Sequence, residues 1–133
     1  MSEQFDVDRR IEQEFEAGWN DRTSFFYMNS PNENTTDTYI NVLSFSDSEV
    51  NVSVASNEKV RNICSLVGEI RTPLGEGDQQ ATKLAEVFTK IFRNKDIGGI
   101  KFGVARKNKT NEGSHFGINV FIPYDWDSTT AII

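Results

Sequence analysis

The sequence predicts an α+β fold: an antiparallel or mixed β-sheet with an N-terminal helix and a central amphipathic helix packed on one face. Three observations carry this. Residues 79–92 hold a helical apolar stripe, the runs on either side of them are rich in β-formers, and turn residues separate those runs at short intervals.

The stripe is Ala81, Leu84, Ala85, Phe88, Ile91 and Phe92, at i, i+3, i+4, i+7, i+10 and i+11. That spacing puts all six on one face, suited to packing on a sheet. Asp78 is the expected N-cap, and Lys90, Arg93 and Lys95 complement the C-terminal dipole. In residues 6–17, DVDRRIEQEFEA, the spacing of Val7, Ile11 and Phe15 makes a second, shorter apolar face, and Gly18 reads as its stop.

Strands are expected at Ser24–Met28, Thr38–Phe45, Glu49–Val54, Lys59–Arg71, Ile100–Arg106 and His115–Tyr124. Asp47-Ser48 and Ser56-Asn57 read as tight turns, Gly98-Gly99 leads into a strand, and Lys107–Gly113 reads as a polar loop. Val50, Val52 and Val54 alternate with polar residues, as do Ile100, Phe102 and Val104, and then Phe116, Ile118, Val120 and Ile122. Consecutive strands with short turns read as an antiparallel meander. A length of 133 residues fits one domain, 1–133, with residues 1–5 and 128–133 expected to be flexible or ordered by an interface.

Composition narrows the function. No apolar run approaches the roughly 18 residues of a membrane span, and the charged first twenty residues do not read as a signal peptide. No membrane partner is expected. The single Cys64 excludes an intramolecular disulfide and fits a reducing compartment, so the Asn-x-Ser/Thr matches at Asn34, Asn51 and Asn108 read as chance. Net charge is −6, unevenly spread: residues 90–109 hold seven bases against Asp96 alone, whereas residues 1–16 hold six acids and two bases. A basic segment on an acidic body is either a nucleic-acid face or a helix terminus followed by a solvated hairpin.

The turn Pro73-Leu74-Gly75-Glu76-Gly77-Asp78 between strand and helix invites comparison with a phosphate loop. Such a loop needs converging backbone N–H groups and usually a Gly-Lys-Ser/Thr. Here two carboxylates lie inside the turn and no such tripeptide follows, so Pro73, Gly75, Gly77 and Asp78 read as a structural corner. The lone His115 cannot form a His cluster for zinc, and a Cys64–His115 nucleophilic pair lacks further support. Asp125 and Asp127 share a face only if the last strand continues through them. No catalytic residue, cofactor site or metal site is expected.

The order of elements resembles the tail terminator family of long-tailed bacteriophages, also called tail-to-head joining or tail completion proteins. The features that carry the resemblance are the N-terminal helix and the strand entering Pro73-Leu74-Gly75-Glu76-Gly77. They continue with the helix ending Val87-Phe88-Thr89-Lys90-Ile91-Phe92 and the closing Val120-Phe121-Ile122-Pro123-Tyr124. The likeness spans roughly residues 7–126, and its motifs are distinctive mainly in combination.

The resemblance implies a structural virion protein without catalysis or cofactor, located at the head-proximal end of the tail and in the host cytoplasm during assembly. Six copies would form a ring that caps the tail tube, stops its polymerisation and meets the head connector. Its partners would be itself, the tail tube protein and a head completion protein, with genomic DNA passing through the lumen unbound. Lys107, Lys109, Trp126, Ile132 and Ile133 are the candidate subunit contacts. The alternatives are another head–tail connector or a tail tube subunit, a nucleic-acid module built on residues 90–109, and a small enzyme using His115 and Cys64.

Overall fold

The computed structural model describes residues 3–27, 38–51, 59–74, 78–112 and 115–129. Helix α1 spans Glu3–Trp19 and α2 spans Gln79–Phe92. The strands are β1 Ser24–Tyr27, β2 Tyr39–Asn51, β3 Lys59–Pro73, β4 Asp96–Ile97, β5 Ile100–Phe102, β6 Arg106–Glu112 and β7 His115–Thr129. They form one mixed sheet in the order β1-β2-β3-β7-β5-β4, with β6 also on β7. The β1–β2 pair is parallel, which corrects the antiparallel meander expected there; the other pairings among the described residues are antiparallel. The α+β expectation holds.

Period two decides which side chains meet the helices. Ile40 and Val42, then Leu66, Gly68 and Ile70, then Ile118, Val120 and Ile122 sit on one face in register, and all are buried. Against them α2 lays its stripe, with Ala81, Leu84, Ala85, Phe88, Ile91 and Phe92 all buried as the spacing requires. At Gly68 the helix layer packs tightly on the sheet: a Cβ there would lie 2.8 Å from Cζ of Phe88. Phe88 in turn tilts against Phe15 of α1 and Phe92, at centroid distances of 6.1 and 5.4 Å.

Gly18 is not a stop. Helix α1 continues through it to Trp19, whose fully buried ring extends the stripe Val7, Ile11, Phe15 by one more turn. A Cβ on Gly18 would sit 2.6 Å from Cγ1 of Ile91, so this glycine lets the two helices touch. The helix ends at Asn20 and Asp21, both left-handed (φ 53° and 54°).

Two irregularities reverse the inside–outside alternation that the sequence suggests. Asp47-Ser48 is no turn; β2 runs on through it with a shift in register between Ser46 and Ser48. Beyond that shift Glu49 pairs with Asn62, and Val50 faces solvent. Val52, Val54 and the Ser56-Asn57 turn lie outside the described residues.

The second irregularity is set by Pro123. Phe102 pairs with Tyr124 and Arg106 with Phe121, so three residues, 103–105, oppose two, 122 and 123. Proline has no N–H to give the ladder, and its carbonyl accepts a bond from the Gly103 N–H at 2.8 Å. The extra residue is a bulge. It turns Val104 outward, 65% exposed, where alternation from Ile100 and Phe102 predicted an inward side chain. Past it, the expected polar loop 107–113 is a strand as far as Glu112, β6, paired residue for residue with β7.

Gly98-Gly99 forms the two-residue turn of the β4–β5 hairpin, with both φ positive at 60° and 92°. The ordered elements reach further toward both ends than expected, helix from Glu3 and strand to Thr129.

Candidate functional site

One end of the sheet carries Pro73, His115 and the start of α2; the other carries Tyr124 and the stretch of β2, β3 and β7 beyond it. Of the candidate contact residues, Lys107, Lys109 and Trp126 are among the described residues.

Strand β6 is an outer strand of the sheet, bonded to β7 on one side. Its charged side chains suit an exposed edge, because they discourage indiscriminate strand pairing. The bulge at Gly103–Ala105 sets which face each side chain takes. Lys107 pairs with Val120 and Lys109 with Ile118, so both lie on the helix-bearing face, beside α2. Arg106 lies on the opposite face, its guanidinium carbon 5.2 Å from the Phe121 ring centroid.

Between α2 and β6 runs a groove of about 290 Å³, floored by Ala85 and Ile118 and rimmed by Thr82, Lys107, Asn108 and Lys109. Lys109 Nζ lies 3.4 Å from Asp78 Oδ2. Lys107 has no carboxylate within ion-pair distance among the described residues.

That ion pair corrects the role expected for Asp78. Asp78 holds the N-cap position with φ −93° and ψ −3°, but its side chain makes no cap hydrogen bond. Its carbonyl starts the helix by accepting from the Thr82 N–H at 2.9 Å, while the carboxylate turns toward Lys109. Pro73 closes β3 opposite His115, as expected of a corner. Gly75 and Gly77 lie outside the described residues.

Trp126 is corrected as well. The sequence places it in a tail after the last strand, free for a neighbour. In the structure β7 continues through it, and period two puts it on the same face as Ile122 and Tyr124. It is 8% exposed and belongs to the subunit's own core. Ile132 and Ile133 lie outside the described residues.

The seven bases of residues 90–109 do not form one stripe. Lys90, Arg93 and Lys95 cluster at the C-terminus of α2, whereas Lys109 meets Asp78 at its N-terminus, about 20 Å away for a helix of this length.

The acids are also organised. Asp8, Glu12 and Glu16 recur every four residues along one face of α1, a like-charge arrangement that weakens an isolated helix. Burial, and then Asp8 and Glu16, push the Glu12 carboxyl above its ordinary value, with Arg9 opposing. Tyr27 donates to Glu16 Oε2 at 2.5 Å. Burial first, and then this bond, raise the Tyr27 phenol well above its usual range.

Because β7 continues, Asp125 and Asp127 do share a face. Arg61 occupies them: its Nε is 3.0 Å from Asp127 Oδ1 and 3.9 Å from Asp125 Oδ1, and its Nη2 donates to Asp127 Oδ2 at 3.3 Å. The Arg61 bond holds the Asp127 carboxyl below its ordinary value. Among the described residues no group of three or more His, Cys, Asp or Glu is placed to hold a metal.

Cys64 and His115 cannot act together. Cys64 pairs with Tyr124, nine positions along β7 from His115, which is about 30 Å of strand. They also lie on opposite faces of the sheet. Burial raises the Cys64 thiol, against the opposing hydroxyls of Tyr124 and Ser46, and His115 packs edge-on against Tyr39 at 5.5 Å.

Two features escaped the sequence reading. Arg71 is 2% exposed, its Nη1 2.8 Å from Asn119 Oδ1, and it lies across Gly117, where a Cβ would come within 2.6 Å of that nitrogen. A base inside a buried strand, opposite a glycine, was the available signal. The other is Phe5, 48% exposed on the first turns of α1.

No protein-family model and no curated protein matches the sequence. Among solved structures, a chain bearing only a sequence identifier for a name superposes with a TM-score of 0.59 at 13% identity, over 95% of this chain and 97% of its own. At that identity the likeness shows the fold alone. No described helix is long and apolar enough to cross a membrane.

Proposed function

We propose that this chain is a virion assembly protein of the tail terminator type. It forms a six-membered ring on the head-proximal end of a phage tail tube, stops tube growth and meets the head connector. The resemblance described above supplies the reading, and one observation favours it: the two charged surfaces are different and separate. Lys107 and Lys109 lie on the helix-bearing face beside the start of α2, and the acidic face of α1 lies elsewhere on the subunit.

A surface that is not its own complement but fits another patch of the same molecule makes heterologous contacts, which close into a ring when the rotation permits. Charge pairs across such a contact set orientation more than affinity. The net charge of −6 suits a lumen that DNA crosses without adhering. The dispersal of the seven bases disfavours the nucleic-acid alternative, and the separation of Cys64 from His115 disfavours an enzyme built on that pair.

The test is electron microscopy of particles from a phage lacking this gene. Tails of uncontrolled length, or filled heads without tails, are expected. Normally terminated tails joined to heads would end the assignment.

A further inference from the structure

The groove between α2 and β6 has an apolar floor, a cationic rim and an open mouth. On the same subunit, the first turns of α1 present a half-exposed Phe5 next to the exposed Asp6, with the Arg9 guanidinium carbon 5.9 Å from the Phe5 ring centroid. The apolar floor suits the Phe5 ring and the rim lysine suits Asp6, provided the Arg9 side chain swings off the ring. The groove and the start of α1 lie at opposite ends of the sheet: Arg10 reaches to within 3.7 Å of a Cβ built on Gly98, and Asp8 acts electrostatically on Tyr124. The groove instead sits over Ile118, near the His115 end. A subunit therefore cannot fill its own groove with its own α1.

We infer that the groove of one copy receives the first turns of α1 from the next copy. Phe5 inserts over Ala85 and Ile118, and Asp6 meets Lys107. The inference rests on the ring reading above and names the surfaces that would make its contact. An aromatic side chain in a small pocket, bordered by a charge pair, is the usual form of an interface anchor. Lys107 is the better cation of the two, because Lys109 already faces Asp78.

A second groove competes for an acidic segment. It lies between the two helices, floored by Ala17, Gly18, Val87 and Ile91, with Arg22, Lys90 and Lys95 at its rim. Glu14 also lines it, and at about 580 Å³ it is too broad to hold one aromatic ring closely.

Directed disulfide formation separates these cases. In a Cys64→Ser background, Arg9→Cys protein, which keeps Phe5 and places the thiol one helical turn away from it, is mixed at millimolar concentration with either Thr82→Cys or Val87→Cys protein and oxidised. The 9–82 bond is expected to form at least about tenfold faster than the 9–87 bond, because docking holds the partners at high effective concentration. Lys107→Glu should abolish that advantage, and adding Asp6→Lys to the Arg9→Cys partner should restore it. Circular dichroism verifies that each variant is folded.

Equal rates, a preference for 87, or no rescue by the charge exchange would overturn the docking, whatever the virion images show. Oxidation of the double variant Arg9→Cys/Thr82→Cys then tests the ring. A ladder of products ending at six supports both readings. A ladder ending at two, or running on without limit, keeps the docking and removes the ring.

Discussion

Replacing Gly68 with alanine tests the packing that holds the helix layer on the sheet. The added methyl would stand 2.8, 2.9 and 3.0 Å from three carbons of the Phe88 ring, whereas carbon atoms rest at roughly 3.5–4.0 Å. The ring must retreat by something on the order of half an ångström to one ångström. It has nowhere to go: Phe88 is fully buried, with Phe15 and Phe92 against it. Overpacking of this kind costs about 1–3 kcal/mol. Restricting the unfolded chain by losing a glycine returns roughly 0.4–1 kcal/mol, so the net loss should be about 1–2 kcal/mol. Urea unfolding followed by circular dichroism should show a lower midpoint and an unchanged slope. Phe88→Leu supplies the second arm of a double-mutant cycle. If the methyl strikes the ring, the two changes together should cost less than their sum by about 1 kcal/mol. A Gly68→Ala protein as stable as wild type, or a cycle additive within about 0.3 kcal/mol, would refute the close contact.

Four further measurements follow from the titratable groups. The Asp127 carboxyl should titrate below its ordinary 3.8 by NMR and return toward it in Arg61→Ala; its folded value is depressed, so its contribution is present above the unfolded value and lost as pH falls through the folded one. Tyr27 and Tyr124 are raised in the fold, so they stabilise it fully below their ordinary 10.0, and stability should decline as pH rises past that point. The decline should be shallower in Tyr27→Phe; an equal slope would show that this phenol is not involved. Cys64 is buried and its thiol raised, so a thiol reagent should label it only as fast as the protein unfolds. Cys64→Ser and His115→Ala should both leave phage assembly intact, and a folded His115→Ala protein that fails to assemble would overturn that view.

The helices were legible because their evidence is local. One face of α2 and one face of α1 announce themselves at a spacing no strand shares. The strands of the core were legible for the same reason, through Ile118, Val120 and Ile122. Strand β6 was not: RKNKTNE is polar throughout, and only its partner β7 makes it a strand. Bulges hid the rest. Each inserts one residue and exchanges the faces beyond it, so Val50 and Val104, inward by alternation, are outward in space. Trp126 was misplaced by ending the last strand at Tyr124, five residues early. Of the candidate contacts, Lys107 and Lys109 could be named as charges, but not as neighbours of α2. Gly18 and Gly68 could not be recognised as contact points, since a missing side chain shows its purpose only when its neighbour is known.

From Phe45 to Asn51 every residue of β2 is exposed, yet β2, β3 and β7 remain paired out to Asn51↔Val60 and Lys59↔Thr129. This outer stretch has little of the helix layer behind it, so its ladder stands mainly on cross-strand pairs such as Arg61 with Asp127. Its amides should therefore exchange with solvent through local opening, well before the global unfolding that releases those at Leu66 and Ile122. Opening would run inward from the far tip and halt at Asn62 and Trp126, where the packed interior begins. At any moment a small share of folded molecules would hold a complete core and a parted tip, with free backbone donors and acceptors ready to be zipped by another strand.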